Sequence, residues 1–285
     1  MDSLALELSG ELAEGLAAND QASADTRDIE VRLSYLKAMG KSPAHCLHAM
    51  RSGWEPSLAM RIGSGAHALL LGGQAIAVYP GKTRQGKAWE TFKDEHRDDL
   101  ILNRKEMRTA EAIAASVRGD SLACRVLFDQ PETVYEQTIH FEFMGRKCRA
   151  TPDARTYRHL VDLKSTRNAE PSKFQWDAIR MGYHAQMAFY AQAMKAERGF
   201  GPSAVYIVAV ESTAPHTVTV HELTPGALSI GERLCRTWME RLKACEAANS
   251  WPGYCQTMVP FEVPDMELNL TFAEDDDSSD GNEQL

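Results

Sequence analysis

The sequence predicts a mixed α/β fold: a central mixed β-sheet flanked by helices. Helical periodicity dominates between Ile29 and Val117, and a two-residue alternation takes over at Val134. A helix, two more strands and a last helix then follow to about Ala248. The order helices, three strands, helix, two strands, helix suits one sheet covered by helices. At 285 residues the chain is long enough for one large domain or two small ones, with an ample core.

The elements follow in chain order. Residues 1–28 are rich in Ala, Glu and Asp and are expected to form a flexible leader, with order beginning near Ile29 in a short helix through Leu36. Ser42-Pro43 reads as an N-cap followed by proline at the first helical position, opening a helix through Met50. Ser57 starts a more apolar helix, Leu58 to Leu71, stopped by Gly72-Gly73. It contains Gly63 and Gly65, each costing about 1 kcal/mol relative to alanine, so close packing or a bound group is expected to compensate.

Lys82 to Gly86 reads as a loop, and Trp89 to Val117 as a charged helical region broken near Asn103. Val134 to Phe143 alternates as a strand, Gly145 marks a turn, and Lys147 to Arg155 and His159 to Leu163 read as two further strands. Phe174 to Arg198 is helical and ends at Gly199. Ala204 to Val210 is an apolar strand with Thr217 to Leu223 as its hairpin partner, and Thr224-Pro225 caps the final helix. Residues 29–260 therefore read as one domain and residues 261–285 as an acidic tail, disordered from Glu274 onward.

No apolar run approaches the ~20 residues of a membrane span, and no signal layout opens the chain; a cytoplasmic protein is expected. The six cysteines are scattered and expected to be reduced thiols. Net charge is −9, but nine acidic residues and no Lys or Arg lie from Phe261 onward, leaving 31 acidic against 31 basic residues before it. Basic clusters at Lys82, Arg84 and Lys87, and at Arg146, Lys147, Arg149 and Arg155, can then dominate locally. Charge alone neither supports nor excludes a nucleic-acid partner. The acidic tail reads as a solubilising end, or as one that competes with DNA for a basic entry surface.

The chemistry concentrates in Thr151-Pro152-Asp153 and Val161-Asp162-Leu163-Lys164. In a strand, Asp162 and Lys164 share a face while Leu163 turns to the core. Asp162 lies in an apolar run, where an unpaired carboxylate is expensive to bury. Two carboxylates and a carbonyl suit a hard divalent cation, and an ammonium beside it suits a metal-bound water. The expectation is phosphodiester hydrolysis. His67, after Gly63-Ser64-Gly65, is a candidate further ligand. Gln186 and Tyr190 share one face of a helix whose Met187, Phe189 and Met194 face the core.

The Asp153…Asp162-Leu163-Lys164 pattern resembles the PD-(D/E)xK nuclease core. Five elements in order resemble more closely the exonuclease VIII type of phage and prophage recombination nuclease, distantly similar to λ exonuclease. They are Leu36-Lys37…Lys41-Ser42-Pro43-Ala44-His45, the run Met60 to Leu70, Cys148 to Asp153, the Asp162-Leu163-Lys164 triplet, and Gln186…Tyr190. The resemblance spans roughly residues 30–255 and implies a restriction-endonuclease-like core.

It implies that Asp153, Asp162 and the Leu163 carbonyl ligate Mg²⁺, with Mn²⁺ able to substitute, and that His67 adds a ligand. Lys164 would orient or deprotonate the attacking water, while Gln186 and Tyr190 would brace the site or touch the DNA backbone. Glu136 occupies the place of an acidic residue in many relatives, or is a strand-face residue opposite Arg146 or Lys147. The implied activity is a double-stranded DNA exonuclease that degrades the 5′-ended strand, leaving a 3′ tail for a single-strand annealing recombinase. A ring-shaped homo-oligomer in the cytoplasm of a bacterial or phage-infected cell is implied too. The alternatives are an endonuclease, an iron–sulfur resection nuclease or a non-catalytic DNA-end-binding protein. Cys46, Cys235, Cys245 and Cys255 superficially match the cluster-bearing branch, but a ten-residue spacing does not suit ligands that come in tight pairs.

Overall fold

A computed structural model describes residues 25–52 and 57–262 of the chain. The expected leader before Asp25 and the acidic tail beyond Glu262 lie outside the described residues. The chain divides into two units, residues 1–254 and 255–285, and residues 255–262 of the second form neither helix nor strand. No helix among the described residues is long and apolar enough to cross a membrane.

The described part of the first unit begins with a 3₁₀ turn at Thr26–Asp28, followed by α1 (Leu33–Lys41), α2 (Pro43–Arg51) and α3 (Leu58–Leu71). Ser42 and Ser57 cap α2 and α3 by accepting from the amides of His45 and Met60. Next come β1 (Ile76–Tyr79), α4 (Lys87–Glu95), β2 (Leu100–Asn103), α5 (Arg104–Gly119) and α6 (Ser121–Leu127). The strands β3 (Val134–Tyr135), β4 (Ile139–Phe143), β5 (Arg146–Ala150), β6 (Ala154–Arg155) and β7 (His159–Thr166) follow. Finally α7 (Pro171–Arg180), α8 (Tyr183–Arg198), β8 (Ala204–Glu211), β9 (Val218–Glu222) and α9 (Pro225–Ala248) complete it.

The five-stranded sheet has the order β3-β6-β7-β8-β9, with β7 and β8 parallel and the other pairs antiparallel. Its two faces are set by strand alternation. Leu160, Val205, Ile207 and Ala209 pack under α1, α8, α9 and the β4–β5 hairpin. Val161, Leu163, Val208 and Val210 pack under α3, α5 and α6. Strands β7 and β8 are covered on both sides, so their apolar runs are nearly continuous.

Four expectations are corrected. Trp89 to Val117 is not helical throughout: Leu100–Asn103 is a strand paired in parallel with Ile76–Tyr79. A short apolar run does not declare its period, and the partner strand decides it. The break near Asn103 is real; Asn103 forms a capping box with Glu106. The long strand Val134 to Phe143 breaks at Glu136, which has φ 46°, and Lys147 to Arg155 breaks at Thr151-Pro152-Asp153. Pro152 has no amide to give to a ladder. Phe174 to Arg198 is two helices, parted at Gly182 in the left-handed region (φ 67°).

The fourth concerns the basic clusters. Arg146 is buried and donates to Glu246 at 2.5 Å and to the carbonyls of Thr26 and Ile29. Arg155 pairs with Glu197 and Gln137, and Arg84 with Glu106 and the Ile101 carbonyl. These three arginines hold the fold together, whereas Lys82, Lys87 and Lys147 are exposed.

Candidate active site

The site grows out of a short strand. β6 pairs with β7 only through Ala154–Val161 and Arg155–Leu160. One step further along β7, the Leu163 amide and carbonyl find no strand on that edge, and side chains take them. Asp153 Oδ2 accepts from the Leu163 amide at 2.6 Å, and His67 Nε2 lies 2.9 Å from the Leu163 carbonyl oxygen.

His67 reaches the strand because α3 comes close. A Cβ on Gly63 would sit 2.8 Å from Ser165 Oγ, and one on Gly65 2.8 Å from Leu102 Cδ1. The two glycines thus serve opposite faces of α3, one against β7 and one against β2. Gly63 and His67 are i, i+4 neighbours on one face.

Asp162 and Lys164 project to the α8 side of the sheet. Asp162 is 1% exposed, and its Oδ2 lies 2.5 Å from Lys164 Nζ. Its Oδ1 accepts from Gln186 Nε2 at 3.0 Å, and the same amide lies 3.1 Å from the Tyr190 hydroxyl. Burial pushes the Asp162 carboxyl up to about 6 against the pull of Lys164, and Asp153 pushes the same way. Burial alone would lower the Lys164 ammonium, but Asp162 and Asp153 outweigh it and hold it above the ordinary lysine value. Burial, then Asp162, raises the Tyr190 phenol.

All the residues expected from sequence therefore meet here: Asp153, Asp162, Leu163 and Lys164 with His67, Gln186 and Tyr190. Glu136 joins them in a different place from the one expected. It is not on a strand opposite Arg146 or Lys147, but in the bend after β3, donating its amide to the Asp153 carbonyl. Burial raises its carboxyl, with His67 and Asp153 close enough to contribute.

Two residues were not anticipated as members of the site. The Lys164 and Lys37 ammoniums lie 5.1 and 5.5 Å from the centre of the Tyr183 ring. Lys37 lay within a quoted motif, but only the packing of α1 against the start of α8 reveals its position.

Two features fit a divalent cation. Asp162 Oδ2 is buried with the Lys164 ammonium as its one close partner, which leaves lone-pair capacity for a cation. With Nε2 donating to Leu163, a neutral His67 ring leaves a bare Nδ1 3.6 Å from Asp153 Oδ1, two electron-pair donors that a cation would join. No group of three or more His, Cys, Asp or Glu side chains among the described residues is arranged to hold a metal. A cation here would lean on Asp153, Asp162 and the Leu163 carbonyl, with water completing its shell and His67 exchanging its present bond. The same observation holds for the cysteines: Cys46, Cys148, Cys235 and Cys245 are buried as free thiols and Cys255 is exposed.

A family profile described as a PDDEXK-like domain of unknown function (DUF3799) matches residues 33–259. No curated protein matches the chain. Among solved structures, a "Putative exonuclease" from Eubacterium rectale is similar at a TM-score of 0.59 and 15% identity, covering 89% of this chain and 97% of that one. An alkaline exonuclease from Laribacter hongkongensis matches at a TM-score of 0.31 and 15% identity, covering 65% of this chain and 95% of its own. A phage related exonuclease from Haemophilus somnus matches at 0.33 and 10%, with the same coverage, and neither of these two carries an argument. The profile spans most of the described residues, and the chain belongs to the family of PDDEXK-like domains of unknown function.

Proposed function

We propose that this protein is a metal-dependent deoxyribonuclease that resects duplex DNA ends. The observation that carries the reading is the meeting of Asp153, Asp162, Lys164 and His67 around Leu163. Mg²⁺, or Mn²⁺ in its place, would polarise the phosphate and lower the pKa of an attacking water.

The chain's own residues supply position and charge. Asp153 is fixed by the Leu163 amide, and Asp162 by Gln186, itself set by Tyr190, so both carboxylates are held before any ligand arrives. Lys164 is held protonated by Asp162 and Asp153. As a cation it would orient water and face the charge developing on phosphorus; a metal on the same two carboxylates would weaken their hold on its proton and let it act as the base. Gln186 and Tyr190 brace the carboxylate.

The preference for ends, the 5′→3′ polarity and the hand-over of a 3′ tail to an annealing recombinase rest on the five sequence motifs. So do the ring-shaped oligomer and a cytoplasmic location. The test is linear duplex labelled at the 5′ or 3′ end, incubated with Mg²⁺ or EDTA beside Lys164→Ala. Release of 5′-terminal nucleotides, dependent on metal, lost in the variant and absent on closed circles, is the expected result. Cutting of circles would make the protein an endonuclease. Binding without cleavage in either metal would make it an end-binding protein.

A further inference from the structure

Lys37 is a half-buried ammonium with no work in the fold that its surroundings explain. Its stem lies on the α7–α8 turn, where a Cβ on Gly182 would sit 3.7 Å from Lys37 Cε. Its head lies against the Tyr183 ring, which the Lys164 head also touches. Among the described residues no carboxylate lies within ion-pair reach of it. Lys164 has Asp162 as counter-ion, while Lys37 faces a second cation across one aromatic ring.

The space beside Lys37 repeats the pattern. A cleft of about 410 Å³ is lined by Lys37, Arg32 and Arg149 with no Asp or Glu, and its far wall is Gln186 and Tyr190, the pair that braces Asp162. A concave surface whose charged groups are all cationic, beside the proposed phosphodiester-cleaving centre, suits an anion of regular spacing.

We propose that Lys37 binds a second phosphate of the strand held at Lys164, and that Tyr183 fixes the distance between the two ammoniums. The inference rests on the nuclease reading and adds to it a phosphate-binding residue and a spacer. The strained electrostatics agree: burial, then Lys164, lowers the Lys37 ammonium, a cost that a bound phosphate would relieve.

The test is equilibrium binding of end-labelled duplex in EDTA, where nothing is cut, across 50 to 200 mM salt, for wild type, Lys37→Gln and Lys37→Arg. One lost phosphate contact lowers the slope of log affinity against log salt by about 0.9, so wild-type affinity should fall about threefold more over this range than that of Lys37→Gln. Lys37→Arg should restore the slope. Tyr183→Phe should match wild type, while Tyr183→Leu should weaken binding at 50 mM salt without altering the slope.

A fall confined to 5′-phosphorylated ends would assign the site to a terminal phosphate, and an equal fall on 5′-hydroxyl ends to an internal one. A wild type that cleaves, with Lys37→Gln unchanged in slope and KM, overturns this inference alone. A wild type that neither binds nor cleaves overturns the nuclease reading and the inference with it.

Discussion

Among the described residues, two ion pairs close at 2.5 Å, Arg146–Glu246 and Lys164–Asp162, are built differently. Arg146 and Glu246 are 8% and 5% exposed, and the guanidinium also donates to two backbone carbonyls, tying the start of the described chain to α9. Asp162 and Lys164 are 1% and 19% exposed; the ammonium is the one partner of Asp162 Oδ2, and a second carboxylate, Asp153, stands close by. The first pair is tied down by its backbone partners, with only Arg146 Nε left without a hydrogen bond. The second leaves charge imperfectly matched where a ligand can enter. An electrostatic cost that the fold does not relieve is a mark of a working site.

The contrast can be broken at either pair. The largest effect is expected at the second: Asp162→Asn should lower the rate of DNA hydrolysis about 10³-fold. It should leave stability within about 1.5 kcal/mol of wild type, because a neutral isostere escapes the burial that lifts Asp162 to about 6. Single-turnover kinetics beside urea denaturation would measure both, and a large loss of stability would erase the distinction. At the first pair the pattern should invert. Glu246→Ala strands a buried guanidinium and should cost about 3–5 kcal/mol in urea, with activity per folded molecule preserved.

Metal sharpens the comparison. Mg²⁺ or Mn²⁺ at about 100 times its Kd should stabilise wild type by about 2.7 kcal/mol in thermal melts and leave Asp153→Asn unmoved. An imidazole ligand favours Mn²⁺ over Mg²⁺, so His67→Ala should narrow the difference between the two metals.

The smallest effect concerns the thiols. Burial pushes Cys46, Cys148 and Cys235 up to about 12, so at pH 8 they remain protonated and resist iodoacetamide until the protein unfolds. Hydrogen bonds with Thr257 lower Cys255, which is exposed and should react first. Mass spectrometry after brief alkylation would check the order. Early labelling of Cys46 would contradict its burial.

Much of the site was legible because its spacings are local. Asp162 and Lys164 are two apart in a strand, and Gln186 and Tyr190 four apart in a helix. Gly63 and Gly65 announced close packing, although not that each would serve a different face. Glu136 was misplaced because a backbone turn at φ 46° interrupts an alternating run whose pattern reads straight through it. Lys37 and Tyr183 lie 146 residues apart (183 − 37) on two helices that no local periodicity connects. Arg146, Arg155 and Arg84 read as members of locally dominant basic clusters because sequence shows charge and hides the partner that absorbs it.

The two-residue length of β6 has a consequence for how this sheet tolerates change. A complete neighbour along β7 would claim the Leu163 amide and carbonyl, leaving Asp153 and His67 nothing to grip. The proline that stops the strand therefore guards a vacancy. Zipping the sheet shut there would yield a better-knit but inert protein, since its chemistry depends on hydrogen bonds that one strand never makes to another.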